Sequence, residues 1–260
     1  MAARPRTIGW LVAFTVVCVV AALVAPSFPQ PPGYHGFADR RAAFGIANFG
    51  DVASNAGFLI SGLWGLALVF GGARFEEAQE RWPWAAFFLG LVLTAFGSAY
   101  YHLAPDNERL FWDRVPITIA LMALVSAQIV DRISIRAGVA LLAPLLLVGI
   151  ASVVYWRATE RAGNGNLVPY VVLQGYAAVI LLSLALALPS RYTRGRDLLW
   201  IFGWYALAKL FELFDERIFR FGNVVSGHTL KHLAAGMAGF VACWMLARRA
   251  LRRGVRESAA

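Results

Sequence analysis

Three histidines, an aspartate and a serine offer the chemistry in this sequence. "SGHTLKH" sets His228 and His232 four residues apart, so on a helix both imidazoles leave one face a turn apart and can share a metal ion. A third ligand has to come from another segment. His102, in "GSAYYHLAPDNERLFWDRVP", is the candidate, because the fourth histidine, His35, lies in a loop rather than an apolar run. Zinc held by three histidines keeps a fourth position open and lowers the pKa of water to about 7, which makes hydroxide at neutral pH. In metalloproteases of the His-Glu-x-x-His type a glutamate serves as base; here Thr229 follows the first histidine. The base must therefore lie elsewhere. Asp113, eleven residues after His102, is the best choice, since a carboxylate can take a proton from water and deliver it to a leaving amine. Ser98, one turn before His102, can hydrogen-bond the water or steady an oxyanion.

Each feature alone also has a plainer reading. A histidine pair at this spacing in an apolar helix equally suits a structural pair, a haem or a proton relay. Asp113 beside Arg114 suits a helix-entry salt bridge or cap, and Lys209 with Glu212 in "AKLFELFDER" suits a buried ion pair. Lys231 falls between the two histidines but off their face, and receives no role.

The elements that must position these groups are membrane helices. Hydrophobic residues make up 59% of the 260-residue chain and the mean hydropathy is +0.61, against about 45–50% apolar in soluble domains. Eight apolar runs can be drawn: Ile8–Pro26, Asp51–Phe70, Trp84–Leu103, Val115–Val130, Ala137–Trp156, Leu167–Leu188, Leu198–Phe214 and Val224–Leu246. Each approaches the ~20 residues that carry a helix across a ~30 Å hydrocarbon core, and the alternating segments of an outer-membrane barrel are absent. The expected fold is an all-α polytopic membrane helix bundle. Its first run follows Arg4 and Arg6 as a signal peptide would, but exceeds the about 7–15 apolar residues of one. It is expected to be a retained anchor, residues 1–30, ahead of a membrane domain at 31–250 and a basic tail at 251–260.

The net charge of +9 points to lipid rather than nucleic acid, because the arginines lie between the runs. With the N-terminus inside, 14 arginines fall on inner segments and 8 on outer ones, which sets both termini in the cytoplasm and the tail beside anionic lipid. Cys18 and Cys243 lie inside apolar runs and are expected to pack rather than pair. The alternation of runs then tests the site. The third run ends outside with His102, the fourth begins there just after Asp113, and the eighth begins there with His228 and His232. Scattered core histidines have no reason to agree in depth.

"GSAYYH" with Ser98 and His102, "ERLFWDRVPIT" with Asp113, and "SGHTLKH" with His228 and His232 together resemble the alkaline ceramidases. These belong to a membrane hydrolase superfamily that also holds the adiponectin-type receptors. The similarity runs from about Gly33 to Leu246. It implies a seven-helix ceramidase-like core, to which the first run adds an N-terminal helix. It implies zinc on His102, His228 and His232, with Ser98 and Asp113 as catalytic residues, and hydrolysis of the amide of ceramide, phytoceramide or a related N-acyl lipid to a sphingoid base and a fatty acid. The implied partner is a membrane lipid, not nucleic acid. Eukaryotic members also bind calcium in an acidic stretch before the first core helix. The matching stretch, "YHGFADRRAAFGIANFGDVASN", keeps Asp39 and Asn48 as candidate calcium ligands, but Arg40 and Arg41 intervene and the ligands fall short of the usual six to eight or so oxygens. This form is closer to bacterial relatives, which suggests a bacterial inner membrane with the site toward the outer face. The superfamily's receptors define the alternative, a non-enzymatic heptahelical lipid receptor or lipid-binding protein with a structural zinc. A transporter or a haem protein is a third reading.

Overall fold

All eight apolar runs form helices in the computed structural model, which describes residues 3–252. They are α1 (Ala3–Val24), the broken pair α2 (Phe49–Ala53) and α3 (Ala56–Gly71), α4 (Arg81–Leu103), α5 (Asn107–Arg132), α6 (Ile135–Arg161), α7 (Val168–Ala187), α8 (Asp197–Leu213) and, after a short α9 (Asp215–Arg220), α10 (Gly227–Arg248). Isolated bridges, Ala43 with Ile46 and Tyr192 with Leu251, are the only β pairings among the described residues. Seven segments are long and apolar enough to cross a membrane, and α8 is slightly shorter at 17 residues. The protein is an all-α integral membrane bundle. Arg253, Arg256 and the rest of the tail from residue 253 lie outside the described residues.

The first helix stands at the edge. Trp10 stacks on Phe14 at 5.3 Å and Phe14 on Tyr176 of α7 at 6.2 Å, while Val16, Val17 and Leu23 stay exposed. The other long helices enclose a core built on Trp84, Phe87, Phe88, Met122, Leu184 and Leu246. Lipid tails are as apolar as leucine, so close packing rather than the hydrophobic effect must join such helices, and small residues permit it. At the crossing of α3 and α10, a Cβ on Gly236 would stand 3.2 Å from the Gly57 Cα.

One boundary differs from expectation in a way that matters for the site. The fourth apolar run places Asp113 before the helix and Pro116 in its first turn, but α5 begins at Asn107. The Asp106 carboxylate accepts a hydrogen bond from the Arg109 N–H at 2.6 Å, an N-cap that starts the helix two turns earlier. Asp113 therefore sits on a formed helix, and Pro116 is interior to it. Proline has no N–H to offer the carbonyl four residues back, which is that of Trp112. At this point α4 meets α5: a Cβ on Gly97 would lie 2.1 Å from the Trp112 oxygen, so only glycine lets the two helices approach. That contact sets Ser98 and His102 beside Asp113.

The far end of the bundle is closed by polar groups that satisfy each other. Arg132 donates through Nε to Gln128 Oε1 (3.1 Å), through Nη1 to the Leu188 carbonyl (2.7 Å) and through Nη2 to the Gly195 carbonyl (2.6 Å). Asp131 Oδ1 accepts from the Ser190 hydroxyl and the Arg191 N–H. The Tyr192 hydroxyl donates to Glu80 Oε2 at 2.8 Å, and Arg249 lies over the Tyr192 ring.

Candidate metal centre and its cavity

His102 arrives on the last turn of α4, and His228 and His232 on the first two turns of α10. Ser226 caps α10, its hydroxyl accepting from the Thr229 N–H at 3.0 Å. Gly227 lets the new helix abut the junction of α8 and α9, where a Cβ would stand 2.3 Å from the Phe211 carbonyl oxygen. The three imidazoles converge. Their ring centroids are 4.8, 4.9 and 4.8 Å apart, all three residues are buried, and one nitrogen of each lies within 4.8 Å of the others. Among the described residues no other group of three histidines, cysteines or carboxylates is so arranged.

The donor set fits a metal. Two nitrogens each about 2.0–2.1 Å from a tetrahedral zinc would stand about 3.3–3.4 Å apart, and His102 Nε2 is 3.2 Å from His228 Nε2. His232 directs Nδ1 at the Asp51 carbonyl oxygen (3.1 Å) and the Ser54 hydroxyl (2.9 Å). A carbonyl can only accept, so Nδ1 carries the proton and Nε2 keeps its lone pair for an ion.

The surrounding shell comes from residues without a role in the sequence reading. Asp215 accepts from the His228 N–H through Oδ1 (2.8 Å) and from the Ala38 N–H through Oδ2 (3.0 Å), tying the loop between α1 and α2 to α10. Buried Asp51 accepts from the Thr229 hydroxyl at 2.7 Å and from the Ser226 hydroxyl at 3.3 Å. Phe37 covers the cluster, its ring 4.6 Å from that of His102 and 4.3 Å from that of His228. A glycine at position 50 packs against Thr229. The sequence carried one signal for this shell: Asp215 continues the three- and four-residue spacing of Lys209 and Glu212. The helix breaks at Phe214, so Asp215 points in and Glu216 is left exposed.

A cavity of about 420 Å³ runs inward from the cluster, within the roughly 300–1,000 Å³ of small-molecule sites. His232, Ser98, Asp113 and Lys231 form part of its polar end, and Leu91, Leu124 and Leu181 are among its apolar walls. Ser98 and Asp113 line this cavity together. The predicted residues Ser98, His102, Asp113, His228 and His232 are thus brought to one end of the bundle. No protein-family model matches this sequence. Nor does any curated protein match it.

Three expectations need amendment. Lys231 is not turned away: its Nζ lies 3.4 Å from His228 Nε2 and 2.7 Å from Glu212 Oε1, because three residues along a helix is nearly one full turn and a lysine stem spans the difference. Lys209 and Glu212 are an ion pair at 2.8 Å, as read from the sequence, but one shared with Lys231. Asp39 and Asn48, the candidate calcium ligands, are both engaged with other groups. Arg41 binds both Asp39 oxygens through Nε (2.8 Å) and Nη2 (2.7 Å) and holds its carboxyl below the usual carboxylate range. Asn48 donates its amide to the His102 carbonyl at 2.7 Å. The fourth histidine, His35, is a tie between elements, with Tyr101 on Nδ1 and Asn107 on Nε2. Cys18 and Cys243 are both free thiols.

Proposed function

We propose that the protein is a zinc-dependent intramembrane hydrolase that cleaves the amide of ceramide, phytoceramide or a related N-acyl lipid, giving a sphingoid base or other amine and a fatty acid. The observation that carries this reading is the shared wall: His232 of the three-histidine cluster lines the same cavity as Asp113, Ser98 and Lys231. A receptor that used the metal only for structure would have no need of a carboxylate and an ammonium facing its lipid cavity beside the metal site.

Zinc bound by His102, His228 and His232 would supply a Lewis acid and a water nucleophile available at neutral pH. The Asp113 carboxylate takes the proton of the attacking water and gives it to the amide nitrogen as the C–N bond breaks. Ser98 orients that carboxylate through its hydroxyl. The Lys231 ammonium, anchored on Glu212, stands where negative charge on the former carbonyl oxygen is favoured. Phe37 and the apolar walls limit competing water, and a lipid amide already resides in the phase in which this cavity lies.

The test is metal analysis of the purified full chain together with release of fatty acid from ceramide, phytoceramide and simpler N-acyl lipids. One zinc per chain and fatty-acid release, both lost on His228→Ala, are expected. Protein that is free of zinc when purified without chelator sinks the proposal; zinc retention with no release from any N-acyl lipid returns the receptor reading. We place the site toward the outer face of a bacterial inner membrane, with both termini in the cytoplasm, because of the arginine excess on the inner segments. A tag at Ala260 should resist external protease in intact cells, and its digestion there would invert the orientation.

A further inference from the structure

The cavity holds one cation more than it needs. Its ionisable lining comprises the carboxylates of Asp113 and Glu212 and the cations of Arg114, Lys209 and Lys231. Glu212 binds both lysines, at 2.8 and 2.7 Å, and Asp113 lies in the field of both Lys231 and Arg114. Arg114 is left without an ion pair among the described residues.

It is 3% exposed and is held by aromatic faces, with its guanidinium carbon 4.2 Å from the Trp156 ring centroid, 4.7 Å from that of Tyr170 and 5.3 Å from that of Tyr34. One nitrogen, Nη2, donates to the neutral Gln30 Oε1 at 2.6 Å. Both Nε and Nη1 are buried with no acceptor, and beside them the Gln30 amide nitrogen has none either. Unmet donors in an apolar surrounding are costly. Every unmet group here is a donor, so what completes the site is an acceptor, and a guanidinium in no ion pair among the described residues makes an anionic one the best match.

We infer that Arg114 is a specificity residue for an anionic oxygen group, a carboxylate or a phosphate, carried by the amine half of the N-acyl lipid. The inference rests on the amidase reading for its account of turnover, whereas the binding preference stands by itself. It narrows the substrate class away from neutral ceramide. The aromatic cage fixes the guanidinium on the α6–α7 side of the cavity, and Asp113, the adjacent residue on α5, lines the same cavity. A short headgroup bound there would bring the amide near the histidines while the acyl chain follows the apolar walls.

The experiment compares three ligands of equal acyl length with purified full-length protein in neutral detergent: N-lauroylglycine, N-lauroylphosphoethanolamine and the neutral N-lauroylethanolamine. Binding is read from ligand-dependent thermal stabilisation and turnover from laurate release. At least one anionic ligand should bind tenfold or more tightly than the neutral one. Arg114→Gln should bring the ligands within about twofold of one another, and Arg114→Lys should keep part of the preference. The carboxylate and phosphate arms then say which group the site takes. Equal binding of all three by the wild-type protein overturns the inference even if every lipid is hydrolysed, and so does a preference that survives in folded Arg114→Gln. Selective anion binding without laurate release from any of the three would uphold the inference while removing the amidase reading.

Discussion

The two ends of α5 are both polar and buried, yet they are built on opposite terms. At Arg132 every guanidinium nitrogen has an acceptor, and Asp131 beside it is met by a hydroxyl and a backbone N–H. About 28 Å away along the helix, taking 1.5 Å per residue, His102 Nδ1, Asp51 Oδ2 and two nitrogens of Arg114 are buried with no partner. Arg249 Nε is the one such atom near the closed end, and aromatic rings pack around that side chain. Burial of charge alone therefore does not mark a functional site in this bundle. What distinguishes the histidine end is a cluster of buried groups with unspent hydrogen-bonding capacity, each of which costs stability that the fold has retained.

The largest effect that separates the two ends is expected from Asp113→Asn. Laurate or other fatty-acid release should fall by about 10²–10⁴-fold, the range for loss of a general base, while zinc content and thermal stability stay near wild type. Zinc loss in this variant would make Asp113 part of the metal shell instead. Arg132→Ala should do the reverse. It leaves Asp131 without its nearby cation and two carbonyls without donors, which costs about 3–5 kcal/mol in thermal unfolding, with metal content and turnover per folded molecule unchanged. Altered turnover there would mean that the closed end communicates with the site. The smallest effect belongs to Ser54→Ala. His232 Nδ1 keeps the Asp51 carbonyl, so zinc affinity, measured by chelator competition, should drop toward the low end of the about 10–100-fold seen for lost outer-shell bonds; no change would mean that Asp51 alone orients the ring.

Much of this arrangement was legible because membrane insertion simplifies the problem. Apolar runs near the thickness of the bilayer had to become helices, and their alternation had to bring the ends holding His102 and His228 to one face. The same logic failed at α5, since hydropathy marks the apolar stretch from Val115, whereas the helix begins where Asp106 can cap it, among residues that hydropathy treats as loop. Lys231 is concealed for a related reason: its Cα lies off the histidine face, but a four-carbon stem reaches around the helix to His228 and Glu212. The shell contributed by Asp51, Ser54, Phe37 and Asp215 depends on how loops fold over the helix ends, which no periodicity encodes. The resemblance to alkaline ceramidases supplied the expectation of calcium at Asp39 and Asn48; there Arg41 binds both Asp39 carboxylate oxygens and the Asn48 amide donates to the His102 carbonyl.

His102 and His228 are separated by 126 positions, and that distance in sequence is also a distance in time. At about 5–20 residues per second on the ribosome, α4 is made roughly 6–25 s before the helix that brings the other two histidines. Throughout that interval the chain holds one of the three clustered imidazoles, His102. Capture of a metal by these three histidines would therefore belong to the last step of assembly, after α10 has inserted against α3 and α8. Under the proposed function, a chain released early would carry Ser98 and Asp113 without the metal on which hydrolysis depends.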